Sequence, residues 1–297
     1  MASEPVFGLL NINKPPGLTS HDVVAAVRRG TGVRKVGHAG TLDPLASGVL
    51  VLCLGPATRL SAYVMRSPKR YRAEVRLGTA TDTYDAEGRV TGEGPWETLT
   101  REQIEAALGR FRGEIAQIPP MYSAVRQGGK KLYELARAGQ EVARQPRRVT
   151  IYSLTLVRCE LPLVTLEIEC SPGTYVRSLA HDLGQTLGAG AHLAGLVRLA
   201  SGAFRLEDAM PLETFHTAMA EGSWRKYLLP PDLALSDLPA VRLDEEQARL
   251  IRHGQAIPAP QASGGEARAY DPQGRLLAIV RAADGHWLPD KVFPLES

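Results

Sequence analysis

One acidic residue, Asp43, occupies a segment of the chain that is well suited to chemistry. It lies in a loop rich in glycine and proline, residues 37–48, and an apolar run, residues 49–54, follows. A carboxylate on a loop that a buried strand holds rigid is well placed for catalysis, because loops carry functional groups on a fixed scaffold. The alternative interpretation is a turn cap, since Asp before Pro is common in turns. Taken alone, the loop favours the turn cap.

The basic residues are unevenly distributed along the chain. Segment 14–37 has five Lys or Arg residues against one acidic residue, segment 66–76 has five against one, and segment 119–150 has seven against two. The net charge of all 297 residues is only +3, so the remainder of the chain is acidic. Segregated positive segments favour a polyanion such as RNA as the partner. Any single run is equally explained as a solvated face of a helix or strand.

Composition limits the class of protein. A hydrophobic content of 44% and a charged content of 23% are typical of an ordinary soluble globular protein. No apolar run has the length of a membrane span, and the N-terminus lacks the pattern of a signal peptide. We therefore expect a cytoplasmic protein with no membrane partner.

The histidines and cysteines show no spacing typical of a metal or redox site, and Cys53, Cys159 and Cys170 are far apart in the sequence. The sequence also contains no phosphate-binding or dinucleotide motif. We expect no metal and no cofactor, with the cysteines packed as reduced thiols.

Alternating and helical patterns predict the elements that must position a site. Residues 71–77 alternate so that Tyr71 falls on the apolar face of a strand, and residues 164–170 alternate in the same way. Ser20 is a plausible N-cap for a helix over 21–29. Further predicted elements are a strand over 8–13, a helix from a capping box at Thr100 to about 113, and helices over 130–138, from 174 to about 187 and near 244–252.

The character of the chain changes near residue 239. Beyond it, short strand-like segments surround two turn signals, at 271–274 and 283–285, after a loop rich in proline, glycine and serine. The sequence therefore predicts a larger domain over 1–238 and a small β-rich domain over 239–297, which is within the usual size range of a compact module.

Six segments, in order and in register, resemble the motifs of the bacterial tRNA pseudouridine-55 synthases, an aspartate-dependent family. They are NKPPGLTS at 13–20, GHAGTLDPLASG at 37–48, KRYR with TDTYD at 69–85, IPPMYSA at 118–124, CSPGTYVR at 170–177 and AHLAGLVRL at 191–199. Six motifs over residues 8–205 are far more specific than any one of them.

The resemblance implies an α+β pseudouridine-synthase fold, in which helices flank a mixed, largely antiparallel sheet. It also implies a tRNA-gripping insertion at about 119–149 and a PUA-like RNA-binding domain at the C-terminus. The implied reaction converts uridine-55 in the T-arm loop of tRNA to pseudouridine by base flipping, cleavage of the glycosidic bond and carbon–carbon re-attachment. The implied enzyme is a monomer that needs no guide RNA.

The family's catalytic residues match three positions. Asp43 matches the catalytic aspartate, Arg177 the arginine that pairs with it, and Tyr71 the ring that stacks on the uracil and takes part in proton transfer. Without the resemblance, Arg177 is equally a phosphate contact or a surface ion pair, and Tyr71 a core tyrosine. The sequence leaves open whether Asp43 attacks C1′ or C6 or acts as a base.

The remaining predicted site residues bind the substrate. The resemblance assigns Tyr175 and Leu196 to the base pocket, Lys14 to its floor, and His38 to the space that the flipped base leaves. The best candidates for phosphate contacts are the basic residues of the insertion, namely Arg126, Lys130, Lys131, Arg144, Arg147 and Arg148. The acidic loop at 82–87 does not fit a calcium-binding pattern, so we interpret it as structural.

Three alternatives stay open at this point. One is a non-catalytic protein that binds or folds tRNA, and another is a guide-dependent relative that modifies ribosomal RNA. An aspartate-dependent hydrolase is the third, although neither metal ligands nor a base–nucleophile pair are visible in the sequence.

Overall fold

A computed structural model describes residues 6–123, 125–140, 142–259 and 264–293 of the chain. The first part contains the strands β1 (Gly8–Lys14), β2 (Val36–His38), β3 (Ser47–Leu54), β4 (Lys69–Leu77), β5 (Thr79–Thr81), β6 (Val90–Glu93), β7 (Gly113–Gln117), β8 (Arg126–Gln127), β9 (Lys130–Lys131), β10 (Arg147–Glu160), β11 (Leu163–Cys170), β12 (Ala191–Ser201), β13 (Phe204–Arg205) and β14 (Met210–Pro211). Its helices are α1 (Ser20–Thr31), α2 (Ser61–Arg66), α3 (Arg101–Leu108), α4 (Leu132–Arg137), α5 (Val176–Leu187) and α6 (Leu212–Ala220).

Most of these strands form one mixed sheet. Its order is β14-β1-β3-β12-β4-β11-β10-β7, with β2 paired to β3 and β13 paired to β12. The pairs β1–β14 and β3–β12 are parallel, and the other pairs in this sheet are antiparallel. The predicted α+β class, with a largely antiparallel sheet and flanking helices, is therefore confirmed.

The apolar run after Asp43 is explained by burial on both faces of β3. Leu50, Leu52 and Leu54 pack in the main core with α1, α5 and α6. The alternate residues Val49 and Val51 pack in a second core on the opposite face. A strand covered on both faces is expected to be apolar throughout, unlike a half-exposed strand. This double burial makes β3 a rigid support for the loop that precedes it.

Strand β4 follows the predicted alternation closely. Along Lys69–Leu77 the residues are buried and exposed in strict turn, and Tyr71, Ala73 and Val75 lie on the buried face. The strand is central in the sheet, between β11 and β12. Tyr71 is consequently placed where the main core meets the functional site.

Two of the predicted helices differ in detail from the structure. The N-cap of α1 is Thr19 rather than Ser20, because the hydroxyl of Thr19 accepts a bond from the Asp22 amide while the Asp22 carboxylate accepts one from the Thr19 amide. Helix α3 ends at Leu108 and a short 3-10 turn follows, so the predicted extension to about 113 was wrong.

The short helix predicted over 130–138 is confirmed as α4, which begins two residues later, at Leu132, because a small hairpin precedes it. The strands β8 and β9 pair across Gly128 and Gly129, and α4 follows directly. Both glycines have positive φ angles, of 57° and 84°, which only glycine adopts readily. Residues 124 and 141 of the predicted insertion, and the side chain of Lys131, lie outside the described part.

A second sheet occupies the end of the chain. It is built from β15 (Ala240–Arg242), β16 (Ile257–Pro258), β17 (Glu266–Tyr270), β18 (Leu276–Ala283) and β19 (His286–Val292), with α7 (Glu245–Arg252) packed against it. Five strands in the order β15-β17-β18-β19-β16 make it separate from the first sheet. Within the described ranges, no helix is both long and apolar enough to cross a membrane.

Candidate active site

The structure brings Asp43 and Arg177 together although they are distant in sequence. A guanidinium nitrogen of Arg177 lies 3.0 Å from a carboxylate oxygen of Asp43. The Arg177 side chain is only 7% exposed, whereas that of Asp43 is 39% exposed. The carboxylate therefore opens to solvent while the group that orients it is buried, which leaves Asp43 accessible to a substrate.

Arg177 has three further hydrogen-bond acceptors. Its Nη1 donates to the Asp85 carboxylate and to the Thr83 carbonyl, both at 3.3 Å, and its Nη2 donates to the Tyr122 carbonyl at 2.9 Å. Asp85 itself is buried, with a side chain 6% exposed. A planar guanidinium can serve several acceptors in fixed directions, which a lysine cannot do. Asp85 is thus a site residue that the sequence analysis missed by interpreting the acidic loop as structural.

The start of helix α5 sets the position of Arg177. Tyr175 is the N-cap residue, but its side chain makes no capping bond. Instead, the Gln117 side chain accepts a bond from the Tyr175 amide at 2.8 Å and donates to its carbonyl at 3.0 Å. This amide clamp ties the first turn of α5 to β7. Tyr175 is half-buried, and burial raises the pKa of its hydroxyl.

A buried lysine, Lys14, connects the Asp43 loop to the segment that follows β1. Lys14 is fully buried, and its Nζ donates to the carbonyls of Pro15, Leu18 and Pro44 at 2.9, 2.7 and 3.5 Å. Burial lowers the pKa of this amine to about 8. Lys14 contacts main-chain carbonyls of two segments, and its place in the floor of the site stays a prediction.

A buried arginine fastens the other end of the loop. Arg198 is 2% exposed, and its guanidinium donates to the carbonyls of Gly40, Thr41 and Val49 at 3.1, 3.2 and 2.7 Å. The backbone of β12 also passes close to β3, since a side chain at Gly48 would lie 2.3 Å from the Arg198 carbonyl. Sequence analysis placed Arg198 in a motif without assigning it a role.

Strand pairing brings the two predicted base contacts to adjacent strands. In the register of β4 and β12, Tyr71 is opposite Arg198 and Ala73 is opposite Leu196. Tyr71 is 9% exposed, and Leu196 is partly buried against the main core. Burial raises the pKa of the Tyr71 hydroxyl, an effect that the charge of Arg198 partly offsets. Tyr71 is therefore protonated at neutral pH.

His38 lies at the end of β2, just before the Asp43 loop. Its half-buried ring packs edge-on against His21, with 5.3 Å between ring centroids. The Nδ1 atom of His38 is buried and has no hydrogen-bond partner among the described residues. Burial and the nearby His21 lower the pKa of His38, so its ring is neutral at neutral pH. A neutral, flat ring is suited to packing against RNA bases.

The basic residues of the insertion occupy separate places. Arg126 and Lys130 are exposed on the β8–β9 hairpin, and Lys131 is paired with Arg126 through the backbone. Arg144 donates to the Pro119 carbonyl at 3.1 Å, and exposed Arg148 forms an ion pair with Glu114. Arg147 stands opposite Gln117 in the sheet, and its charge acts on the Tyr175 hydroxyl.

The site residues offer carboxylate, guanidinium and phenol groups but no metal cage. In the described part of the chain, no three His, Cys, Asp or Glu side chains are grouped so that they could hold a metal ion. The buried thiol of Cys53 packs in the second core. The arrangement offers one accessible carboxylate, a buried cation that orients it, and the phenol of Tyr71 on β4.

Comparison with known proteins covers almost the whole chain. Residues 28–176 match the model described as "TruB family pseudouridylate synthase (N terminal domain)". Residues 177–236 match "tRNA pseudouridylate synthase B C-terminal domain", and residues 238–294 match "tRNA Pseudouridine synthase II, C terminal".

Curated relatives are similar over most of their length. A tRNA pseudouridine synthase B of Dehalococcoides mccartyi is 46% identical over 288 residues, which are 96% of each chain. One from Symbiobacterium thermophilum is 52% identical over 258 residues, covering 86% of this chain and 84% of the relative. One from Burkholderia lata is 47% identical over 291 residues, covering 96% and 89%.

Solved structures show the same fold at lower identity. A chain from an H/ACA RNP bound to a substrate RNA that contains 2′-deoxyuridine has a TM-score of 0.75 and 26% identity, over 98% of this chain and 86% of that one. A chain from a Cbf5-Nop10-Gar1 complex has a TM-score of 0.74 and 28% identity, over 97% and 84%. With a family model over half of its length and relatives above 44% identity across most of it, this chain belongs to the TruB family of pseudouridylate synthases.

Proposed function

We propose that this protein isomerises uridine-55 in the T-arm loop of tRNA to pseudouridine. The observation that carries the proposal is the pairing of a solvent-accessible Asp43 with a buried Arg177, at 3.0 Å, beside Tyr71 on β4. The curated relatives, named tRNA pseudouridine synthase B, support tRNA as the substrate. The proposal includes a cytoplasmic location, because bacterial tRNA is modified there.

The reaction redistributes bonds within one nucleotide. The bond from N1 to C1′ breaks, the uracil rotates, and a bond from C5 to C1′ forms; C5 loses a proton and N1 gains one. The sugar passes through an electron-poor state, which a carboxylate is suited to trap or to deprotonate. Asp43 is the group for this step, and Arg177 holds its carboxylate in one orientation.

The pocket residues have separate roles in the proposal. Tyr71 stacks on the uracil, and Leu196 packs beside it on the neighbouring strand. Tyr175, two residues before Arg177 in the chain, lines the other side of the site. His38 enters the T-loop when the base flips, a step that costs a few kcal/mol and must be offset by new stacking.

The insertion contributes the phosphate contacts. Arg126, Lys130, Lys131, Arg144, Arg147 and Arg148 supply positive charge along it, and the exposed hairpin carries three of them. Arg148 is partly neutralised by Glu114, so it contributes less than Arg126 or Lys130. The small C-terminal domain predicted over residues 239–297 acts as a PUA-like RNA-binding domain.

We propose that the enzyme acts as a monomer on tRNA alone. The guide-dependent alternative arises because the similar solved structures are parts of H/ACA and Cbf5 complexes, at 26% and 28% identity. The sequence identity to the tRNA pseudouridine synthases is far higher, at 46% to 52%. The hairpin insertion between β7 and β10 gives the chain its own means of holding a T-arm.

The test compares the wild type with Asp43→Asn on an unmodified tRNA transcript, without other RNA or protein. Mass-spectrometric mapping is expected to find pseudouridine at position 55 after wild-type treatment and none after treatment with the variant. Filter binding is expected to give Kd values within about threefold of each other, because the two side chains have nearly the same size.

Each failure has a distinct meaning. Turnover by Asp43→Asn would contradict the catalytic role of Asp43. A wild-type protein that binds tRNA without modifying it would support a non-catalytic function. Modification that requires a guide RNA would support the guide-dependent alternative.

A further inference from the structure

Tyr84 has a backbone conformation that is unusual for a tyrosine. Its φ angle is 64°, in the left-handed region, where a Cβ atom crowds the neighbouring carbonyl. Its ring lies flat on the ring of His181, with centroids 3.9 Å apart and 15° between the planes. Neither residue has a role in the site as described so far. A strained backbone conformation nevertheless persists only where the contacts around it stabilise it.

The position of the stack connects it to Arg177. The residues on either side of Tyr84, namely Thr83 and Asp85, both accept a hydrogen bond from the Nη1 atom of Arg177. His181 follows Arg177 by four residues in α5, so both side chains lie on the same face of the helix. The loop is therefore joined to this helix face at two points one turn apart.

The backbone on both sides of Tyr84 is fixed by β12. The Tyr84 carbonyl accepts a bond from the Leu193 amide at 3.0 Å, and the Ala86 amide donates to the Leu193 carbonyl at 3.0 Å. The Tyr84 amide donates to the Thr81 carbonyl at 3.3 Å. These bonds hold the backbone of the loop, and the stack on His181 places the Tyr84 ring against α5.

His181 has the properties of a packing group rather than of a proton carrier. Its Nδ1 atom is buried and has no hydrogen-bond partner in the described ranges. Burial and the charge of Arg144 lower the pKa of the ring, which favours the neutral form. A neutral imidazole stacks on a phenol ring without bringing a charge into the interface.

We infer that Tyr84 and His181 are positioning residues for the proposed reaction: their stack holds Thr83 and Asp85 against Arg177, and so keeps Arg177 on Asp43. The inference rests on the proposed function, because its effect is measured as pseudouridine formation. It assigns neither residue to contact with RNA.

The experiment removes each ring while keeping the fold. Asn adopts left-handed φ angles more easily than most residues, so Tyr84→Asn removes the ring but preserves the loop backbone. His181→Ala removes the other ring. Tyr84→Phe and His181→Phe keep the stack, and Tyr152→Asn, at a tyrosine 55% exposed on β10, is the matched control.

The readouts are the single-turnover rate of pseudouridine formation in unmodified tRNA and the Kd for the same tRNA. We expect Tyr84→Asn and His181→Ala to lower the rate by about fivefold to tenfold, as the loss of an aromatic pair predicts, with unchanged Kd. Both Phe variants and the control are expected to keep the wild-type rate. In the Asp85→Asn background, Tyr84→Asn is expected to cause no further loss, because both act through Arg177.

Several results would overturn the inference. Wild-type rates in Tyr84→Asn and His181→Ala, a weaker Kd with an unchanged rate, or full additivity with Asp85→Asn would each exclude a positioning role. Loss of rate in the Phe variants equal to that in Tyr84→Asn and His181→Ala would also exclude the stack. A wild-type protein that forms no pseudouridine would overturn the proposed function together with the inference, so the two failures are distinguishable.

Discussion

Arg177 is shared between two carboxylates of very different exposure. Asp43 is 39% exposed and opens to solvent, whereas Asp85 is 6% exposed and contacts the other terminal nitrogen of the guanidinium. A buried cation with one buried anion is locally compensated, and removal of one partner leaves an uncompensated buried charge. Asp85 thus makes it favourable for Arg177 to remain buried and aimed at Asp43.

Asp85→Asn tests this division of roles. We expect the single-turnover rate to fall by roughly 10-fold to 100-fold, because a buried hydrogen bond to a charged group contributes about 1.5–3 kcal/mol. The Kd for tRNA is expected to stay near the wild-type value. Rapid-quench measurement of pseudouridine formation checks the rate, and filter binding checks the affinity.

The matched control for Asp85→Asn is Glu87→Gln. Glu87 is exposed in the same loop, and only its backbone amide bonds to Asp85. A loss of rate in Glu87→Gln as large as that in Asp85→Asn would show that loss of any acidic charge in the loop has this effect, and would contradict the specific role of Asp85.

Tyr71→Phe separates stacking from proton transfer. Burial raises the pKa of the Tyr71 hydroxyl, so this group is protonated at neutral pH and can donate a hydrogen bond. To accept a proton, it would first have to lose its own. We expect the variant to bind tRNA normally, because the ring remains, and to lose turnover by about 100-fold or more, as is typical of a lost acid–base group. Wild-type turnover in Tyr71→Phe would leave Tyr71 with stacking alone.

The sequence predicted Asp43 and Arg177 as site residues but did not predict the roles of Asp85 and Arg198. Asp43 and Arg177 were identified and are in contact. Asp85 was seen only as part of an acidic loop, because nothing in the order of residues shows that it meets an arginine 92 positions later. The role of Arg198 was equally invisible, since its partners near Asp43 are main-chain carbonyls, which no side-chain pattern records.

At the scale of elements, alternation was a reliable guide and helix ends were less so. Strand β4 alternates because one face is in the core and the other faces solvent. Strand β3 does not alternate, and its apolar run indicated burial on both faces. The hairpin of β8 and β9 was missed because two-residue strands are too short to show a period.

The hairpin is the element whose charge we expect to determine the salt dependence of binding. In Arg126→Ala with Lys130→Ala, two exposed cations are removed together. If each contacts a phosphate, the slope of log Kd against log salt should decrease by about 1.4 to 1.8, since each contact contributes roughly 0.7–0.9. Affinity for tRNA should weaken at low salt, with little change in the rate of the bound complex.

Arg158→Ala is the control for the hairpin. Arg158 is exposed on β10, outside the hairpin, and forms an ion pair with Glu160. Its removal takes away a positive charge without altering the hairpin. Kd titrations at several salt concentrations compare the two variants. An equal change of slope in both would show that the effect of the hairpin is only that of net charge.

At the scale of the molecule, the second sheet is packed firmly on the first part of the chain. Phe293 is 2% exposed and stacks on Phe7, with ring centroids 5.0 Å apart. The Tyr63 hydroxyl donates to Glu266 at 2.9 Å, and Arg59 donates to the Val292 carbonyl at 2.7 Å. Because both apolar and polar contacts join them, we expect the two parts to unfold as one cooperative unit.

Phe293→Ala should reveal this cooperativity. Truncation of a buried phenylalanine costs about 3–5 kcal/mol, and here the loss falls at the contact between the two parts. We expect the free energy of unfolding to fall by that amount and the two parts to unfold in separate steps. Urea denaturation followed by circular dichroism checks this, with Val157→Ala, at a residue 50% exposed, as the control. A single unchanged transition would contradict it.

The way in which Lys14 and Arg198 hold the catalytic loop has a consequence for sequence variation. Their bonds to the loop end on the carbonyls of Gly40, Thr41 and Pro44, which every amino acid possesses. In a saturation library, exposed Thr41 would consequently tolerate exchange, whereas the two cations, buried Leu42 and Gly40, whose φ is 118°, would not. Natural or directed evolution is thus free to adjust the rim of the site for new RNA contexts without displacing its carboxylate.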